Sequence, residues 1–283
     1  MNTSNQSYKK LAIPYFKEVF DLIDQAFRNH GIDYYLVGAN AIALQILKDS
    51  SIKPPRGTKD IDFAIMVPTI ASFDEIMDYL VSLGFVRVKN AANTLVYNRG
   101  EAVVDILPFG KIEEEFTERF DQRVLDLHIL GYSEILSDAE QIMIEDQMVN
   151  VPPLPGMILL KLISFNDRPE ERQNDLYDIL FVIEHYYKLK EEEILEHHFD
   201  IIERLVEYDP ILIAAEVLGR KSGKYLKINE KLKERIFGFM ESEIKNAENS
   251  RMALDWTRRK DWQLNYTVSI LQALFYGIKE SQE

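Results

Sequence analysis

The sequence predicts an α+β fold: a mixed β-sheet with flanking helices, followed by an all-helical C-terminal half. Three observations predict it. Helical and strand-like hydrophobic patterns alternate up to about residue 150. The most proline-dense stretch, Val151-Pro152-Pro153-Leu154-Pro155-Gly156, then interrupts the chain. Beyond it, strand signals nearly vanish and helical periodicity takes over. The expected domains are therefore 1–151 and 152–283, in line with roughly 100–200 residues per domain.

The elements follow in order. Residues 8–29 carry Leu11, Phe16, Val19, Phe20, Ile23, Ala26 and Phe27 at helical spacing, and Gly31 is a helix stop. Tyr34-Tyr35-Leu36-Val37 is a short strand, Gly38 follows it, and residues 39–48 read as a helix. Pro54-Pro55 and Gly57 mark a loop. Residues 61–67 are β-prone up to Pro68, and residues 70–83 are helical up to Gly84. Strands are expected at 85–88, 94–97 and 102–107, the last ended by Pro108, and one or two short strands at 141–151. The expected C-terminal helices are 156–166, 171–188, 191–207, 210–219, 229–244 and 261–279. There is no internal repeat and no low-complexity tract.

Composition bounds the function. Of 283 residues, 46% are hydrophobic and 28% charged, with 15 Phe and 14 Tyr to build cores, so disorder is not expected. Cysteine is absent, which excludes disulfides, thiolate metal sites and cysteine nucleophiles. The residues from Met1 to Lys10 are polar, so no signal peptide is expected, and no apolar run is long enough for a membrane span. A cytoplasmic location is the expectation. The net charge of −14 argues against broad, sequence-independent nucleic-acid binding. A local basic run is nevertheless present: Arg220, Lys221, Lys224, Lys227, Lys231, Lys233 and Arg235, set against Glu230 and Glu234.

The chemistry concentrates in Asp60-Ile61-Asp62 at the head of a strand. Side chains i and i+2 project from one face, and two carboxylates side by side favour a cation between them. Oxygen-rich paired carboxylates suit Mg²⁺, which keeps waters and substrate phosphates as its other ligands. Asp105 interrupts an otherwise apolar strand, where an unpaired buried charge is expensive. If its strand lies beside the first, Asp105 completes a three-carboxylate site, enough for two divalent ions in a phosphoryl displacement. Upstream, Gly38-Ala39-Asn40 turns a strand into a helix, whose N-terminal N–H groups bind phosphate.

Leu36-Val37-Gly38-Ala39, followed by Arg56-Gly57-Thr58-Lys59-Asp60-Ile61-Asp62-Phe63, resembles the polymerase-β-like nucleotidyltransferase superfamily. The Arg-x-Thr-x-Asp-x-Asp form is similar to its AbiEii/AbiGii toxin branch. So are Leu160-Lys161-Leu162-Ile163, Asp167-Arg168-Pro169 and the segment Arg172-Gln173-Asn174-Asp175-Leu176-Tyr177-Asp178-Ile179. The likeness spans about residues 30–185 and implies a nucleotidyltransferase-type sheet. It also implies that Asp60, Asp62 and Asp105 bind Mg²⁺ or Mn²⁺, with Asp105 as the base. Gly38, Ala39 and Asn40 would cradle the β- and γ-phosphates, beside Arg56 and Thr58. Lys161 and Asp175, with Asp178 on the same helix, would complete the cleft from the helical half. Arg168 and Arg172 would touch phosphate or acceptor. Ala39 departs from the family pattern, which has Gly or Ser there; it keeps the N–H but has no hydroxyl, and Asn40 is the nearest substitute.

Each feature also has a plainer reading. Asp60 can cap a turn. Lys161 can be a lysine reaching from an apolar face to water. Asp175 and Asp178 can form a solvated acidic face or pair with Arg172. Arg168 and Arg172 can be surface charge, as can the basic run, with RNA contact as its alternative. Trp256-Thr257-Arg258-Arg259-Lys260 either stacks on nucleic acid or forms an interhelical turn with its indole packed inward. His185, His197 and His198 read as surface helix residues rather than ligands.

The expected function is metal-dependent transfer of a nucleoside monophosphate from a nucleoside triphosphate to an acceptor hydroxyl, with pyrophosphate release. By resemblance, the chain is the toxin of a toxin–antitoxin or phage-defence pair. Its acceptor is then tRNA or another molecule, and its antitoxin acts without a stable complex. The alternatives are a small-molecule nucleotidyltransferase with an aminoglycoside-like cationic acceptor, suited to the acidic chain, and a catalytically idle nucleotide-binding module, which Ala39 would favour.

Overall fold

The computed structural model describes residues 15–47, 52, 60–89, 91–110, 130–144 and 147–283. They fall into two units, Met1–Pro153 and Leu154–Glu283.

In the first unit, helix α1 (Phe16–Asn29) leads into strand β1 (Tyr34–Val37) and helix α2 (Gly38–Ile46). Strand β2 (Asp60–Met66), helix α3 (Ile70–Ser82) and strands β3 (Val86–Val88), β4 (Ala91–Tyr97) and β5 (Ala102–Phe109) follow. A short helix α4 (Tyr132–Leu136) and the hairpin β6 (Glu140–Ile144) and β7 (Gln147–Val151) end the unit. The strands form one seven-stranded sheet in the order β3-β4-β5-β2-β1-β7-β6. The pairs β2–β5 and β1–β7 are parallel and the others antiparallel, so the sheet is mixed as expected.

The amphipathic spacing of α1 has a direct consequence for the sheet. Its Phe16, Val19, Phe20, Ile23 and Phe27 are all buried. The rings of Phe20 and Phe27 lie 5.9 and 6.2 Å from that of Phe63 on β2. One face of β2 and β5 is thereby sealed: Ile61, Phe63, Val104 and Ile106 are fully buried. Strand β5 alternates between buried and half-exposed residues from Ala102 to Leu107, the period-two signature of a sheet with one open face. Asp105 projects on the open side. Pro108 does not end β5, which runs on to Phe109. It lies beyond the stretch that pairs with β4, so its missing N–H breaks no bond on that side.

The second unit is helical: α5 (Leu154–Asp167), α6 (Gln173–Leu189), α7 (Glu191–His197), α8 (Phe199–Arg204), α9 (Pro210–Leu226), α10 (Glu230–Lys245), α11 (Arg251–Lys260) and α12 (Leu264–Glu280). Two expectations are corrected here. Helix α9 does not stop at Gly219. A Cβ at Gly219 would stand 2.0 Å from the Leu274 carbonyl oxygen, and one at Gly277 would stand 2.1 Å from that of Glu216. These glycines let α9 and α12 meet backbone to backbone. The segment 251–260 is a full helix rather than a turn, with Ser250 capping it through the Ala253 N–H. Trp256 on it is fully buried and donates to the Leu176 carbonyl at 2.9 Å, so it offers no face for stacking.

Candidate active site

The strand–glycine–helix junction organises the first unit's polar face. Gly38 has φ +69°, a left-handed conformation that favours glycine. A Cβ there would also fall 2.1 Å from Asp62 Oδ2. Glycine is thus required twice, for the chain turn and for the room it leaves to a carboxylate. The neighbouring N–H groups, of Ala39 and Asn40, lie in the first turn of α2, where no helical carbonyl can accept from them. Asn40 contributes differently from what the sequence suggests. Its side chain is buried, and its Nδ2 donates to the Asp60 carbonyl at 2.8 Å. The amide therefore ties α2 to the head of β2, and only its backbone N–H stays in the anion-binding position.

Register assembles the carboxylates. Asp62 pairs with Asp105 across the parallel β2–β5 ladder and with Val37 across the antiparallel β1–β2 ladder. The two aspartates therefore share a face, about 4.8 Å apart from strand to strand. Both are half-buried, and Asp60 is exposed at the edge of that face. Asp105 Oδ1 accepts a 2.5 Å hydrogen bond from Thr94 Oγ1, its partner on β4. The strand of Asp105 does lie beside that of Asp62, yet no three His, Asp or Glu side chains converge to hold an ion among the described residues. Asp60 stands two residues, or about 7 Å, along the strand from Asp62. Asp62 leans toward Gly38, and Asp105 is drawn toward Thr94.

The donor set still fits Mg²⁺, which binds through one or two carboxylates and completes its shell with waters and substrate phosphates. Two carboxylates share the open face, and the missing Cβ of Gly38 makes a cradle for one of them. Arg56 and Thr58 lie outside the described residues.

The helical unit holds a second polar cluster. Lys161 on α5 donates to Asp175 Oδ1 at 2.6 Å and sits 2.8 Å from Asp178 Oδ2, both on α6. All three side chains are largely buried. Burial works against the charged lysine, but the two carboxylates prevail and hold its ammonium well above the ordinary lysine range. The second oxygen of Asp175 is buried with no hydrogen-bond partner. Burying one amine and two carboxyl groups together is a costly arrangement. This is neither a lysine reaching for water nor a solvated acidic face. Arg172 is exposed at the start of α6 without capping it, and Arg168 is half-buried, 3.8 Å from Glu171.

Part of the basic run is paired inside the same unit. Arg220 binds Asp200 and Glu280, each at 2.6 Å, Lys221 pairs with Glu193, and Arg235 pairs with Asp167. His185 is part-buried, with Nδ1 against the Phe181 carbonyl, and His198 lies beside Arg220. Thr94 is the residue that sequence reasoning passed over. It carries no motif, and only the strand register reveals its partner.

A mixed sheet with in-register aspartates beside a glycine-turned helix start, followed by a helical unit, is the arrangement that the resemblance to nucleotidyltransferases implies. The family model described as nucleotidyl transferase AbiEii toxin, type IV toxin–antitoxin system, matches residues 22–264. The chain belongs to that family and is a nucleotidyltransferase enzyme. Among solved structures it is similar to an antigenic nucleotidyltransferase-like protein from Paracoccidioides brasiliensis, with 17% identity and a TM-score of 0.41 over 69% of this chain and 92% of that one. It is also similar to the antibiotic-resistance factor ANT(2'')-Ia, with 12% identity and a TM-score of 0.36 over 65% of this chain and 96% of that one. No curated protein matches the sequence. No helix among the described residues is long and apolar enough to cross a membrane.

Proposed function

We propose that the chain moves a nucleoside monophosphate from a nucleoside triphosphate to a hydroxyl of tRNA, as the toxin of its toxin–antitoxin pair. The observation that carries this reading is the alignment of Asp62 and Asp105 on one open face beside the Gly38 helix start. The acceptor oxygen attacks the α-phosphorus, the bond to the β-phosphate oxygen breaks, and pyrophosphate leaves. Asp105 takes the hydroxyl proton. Asp62 and Asp105 would hold a divalent ion, with Asp60 at the edge of the site. Mg²⁺, or Mn²⁺ in its place, supplies neutralisation of charge on the transferring phosphate. The first-turn N–H groups of Gly38, Ala39 and Asn40 receive the β- and γ-phosphates.

In the helical unit, Lys161 is assigned to a phosphate or acceptor contact, with Asp175 orienting its ammonium. Its support is the cost of the cluster, three buried ionisable side chains with one Asp175 oxygen unpartnered, a departure from local consistency of the kind expected at functional sites. Arg168 and Arg172 are assigned to phosphate contacts. The antitoxin acts without a stable complex.

A second reading has an observation of its own. The net charge is −14, and part of the basic run is spent on internal ion pairs, which suits a small cationic acceptor. One experiment separates the two. The protein is incubated with Mg²⁺ and α- or γ-labelled nucleoside triphosphates, with total tRNA or with an aminoglycoside panel. The first reading expects α-label in tRNA and γ-label in pyrophosphate. Label in the aminoglycoside alone selects the second. Absence of α-label in either acceptor contradicts both.

A further inference from the structure

We propose that Thr94 is a positioning residue of the reaction centre, holding the Asp105 carboxylate in one orientation through its hydroxyl. The proposal rests on the assignment of Asp105 to the divalent ion. Thr94 and Asp105 are direct partners across the antiparallel β4–β5 ladder, and Oγ1 donates to Oδ1 at 2.5 Å. A β-branched side chain in a strand has few χ1 choices. The hydroxyl is thus directed by the backbone before any ligand arrives, and the bond fixes the carboxylate plane.

The choice of residue is informative. The next cross-strand pair on the same face is Val96 with Val103, both half-exposed. Valine would be the better strand former at position 94 as well. Of these two pairs, the polar residue is the one that faces the aspartate. The donor is also neutral. An ammonium in its place would form an ion pair with Asp105, as Lys161 does with its partners in the helical unit. A hydroxyl orients the carboxylate without bringing a charge of its own. Groups that orient an ion-binding side chain from behind are worth about 10–100-fold in metal affinity or activity.

The test uses the full chain and a binding readout, with Mn²⁺ and a non-hydrolysable nucleoside triphosphate as the probe and free Mn²⁺ followed by electron paramagnetic resonance. Thr94→Val is expected to weaken binding of the Mn²⁺–nucleotide pair about tenfold or more. Thr94→Ala is expected to do the same, and covers the case in which the valine variant misfolds. Thr94→Ser, which keeps the hydroxyl, is expected to stay within about twofold of wild type, well short of that loss. Asp105→Asn is expected to weaken binding, and adding Thr94→Val to it to cause no further loss. Wild-type binding by both Thr94→Val and Thr94→Ala, with binding lost in Asp105→Asn, overturns the role of Thr94. Wild-type binding by Asp105→Asn overturns the assignment of Asp105 itself, and the proposal with it.

Discussion

The sheet and the helical unit each gather aspartates, and they treat them in opposite ways. Asp105 lies on a half-open face and is steadied by a neutral hydroxyl. Asp175 and Asp178 lie inside a helix pair and share a buried ammonium. The first arrangement sets carboxylates side by side on one half-exposed sheet face. The second commits them to a lysine of the same unit. The difference follows from backbone geometry: strand register leaves one sheet face open, whereas the packing of α5 on α6 closes over its polar contacts.

The sharpest way to break this comparison is to remove charge on each side. Asp105→Asn is expected to lower nucleotidyl transfer by about 10²–10⁴-fold, the usual worth of a positioned base, while the unfolding midpoint stays close to wild type. Initial rates and a thermal melt check both halves of that statement. Lys161→Met is expected to be destabilising, by about 3–5 kcal/mol, because it strands two buried carboxylates. Replacing Lys161, Asp175 and Asp178 together with apolar residues is expected to recover most of that stability while leaving transfer impaired. Equilibrium urea unfolding and the transfer assay together separate the two roles. The pH dependence has a definite sign. The folded pKa of Lys161 is raised above its unfolded value, so its stabilisation is fully present below the unfolded value, about 10.4, and is lost as pH rises through the folded one. Its contribution should therefore hold constant between pH 6 and 9.

Two smaller effects sharpen the sheet side. Gly38→Ala forces a left-handed alanine, about 1–2 kcal/mol, and drives a Cβ against Asp62. Transfer should fall far more than stability does, which a paired melt and rate measurement would reveal. Asn40→Ala removes the amide bond to the Asp60 carbonyl, expected to cost about 1 kcal/mol in a denaturation curve.

Much of the sheet side was legible in the sequence because strand period and glycine chemistry are local. Asp-x-Asp at a strand head, an aspartate amid apolar strand residues and a strand–Gly–helix turn each carry their meaning within a few residues. What needed register was not legible. Thr94 acquires its role only when β4 pairs with β5, and the separation of Asp60 from Asp62 and Asp105 depends on where each carboxylate leans. The helical side was harder still. Gly219 reads as a helix stop in one dimension and is a helix-crossing contact in three. Lys161, Asp175 and Asp178 are visible as a motif, but their mutual burial depends on how two helices pack. The basic run lost its apparent meaning for the same reason: Asp167, Glu193, Asp200 and Glu280, distant in sequence, meet it in the fold.

The central claim is that the open-face aspartates of the sheet carry out the transfer. Its most direct test is transfer of α-labelled nucleotide to total tRNA by wild type, Asp62→Asn and Asp105→Asn, each verified as folded by circular dichroism. The account predicts labelled tRNA with wild type and almost none with either variant. Equal labelling by all three proteins would contradict it.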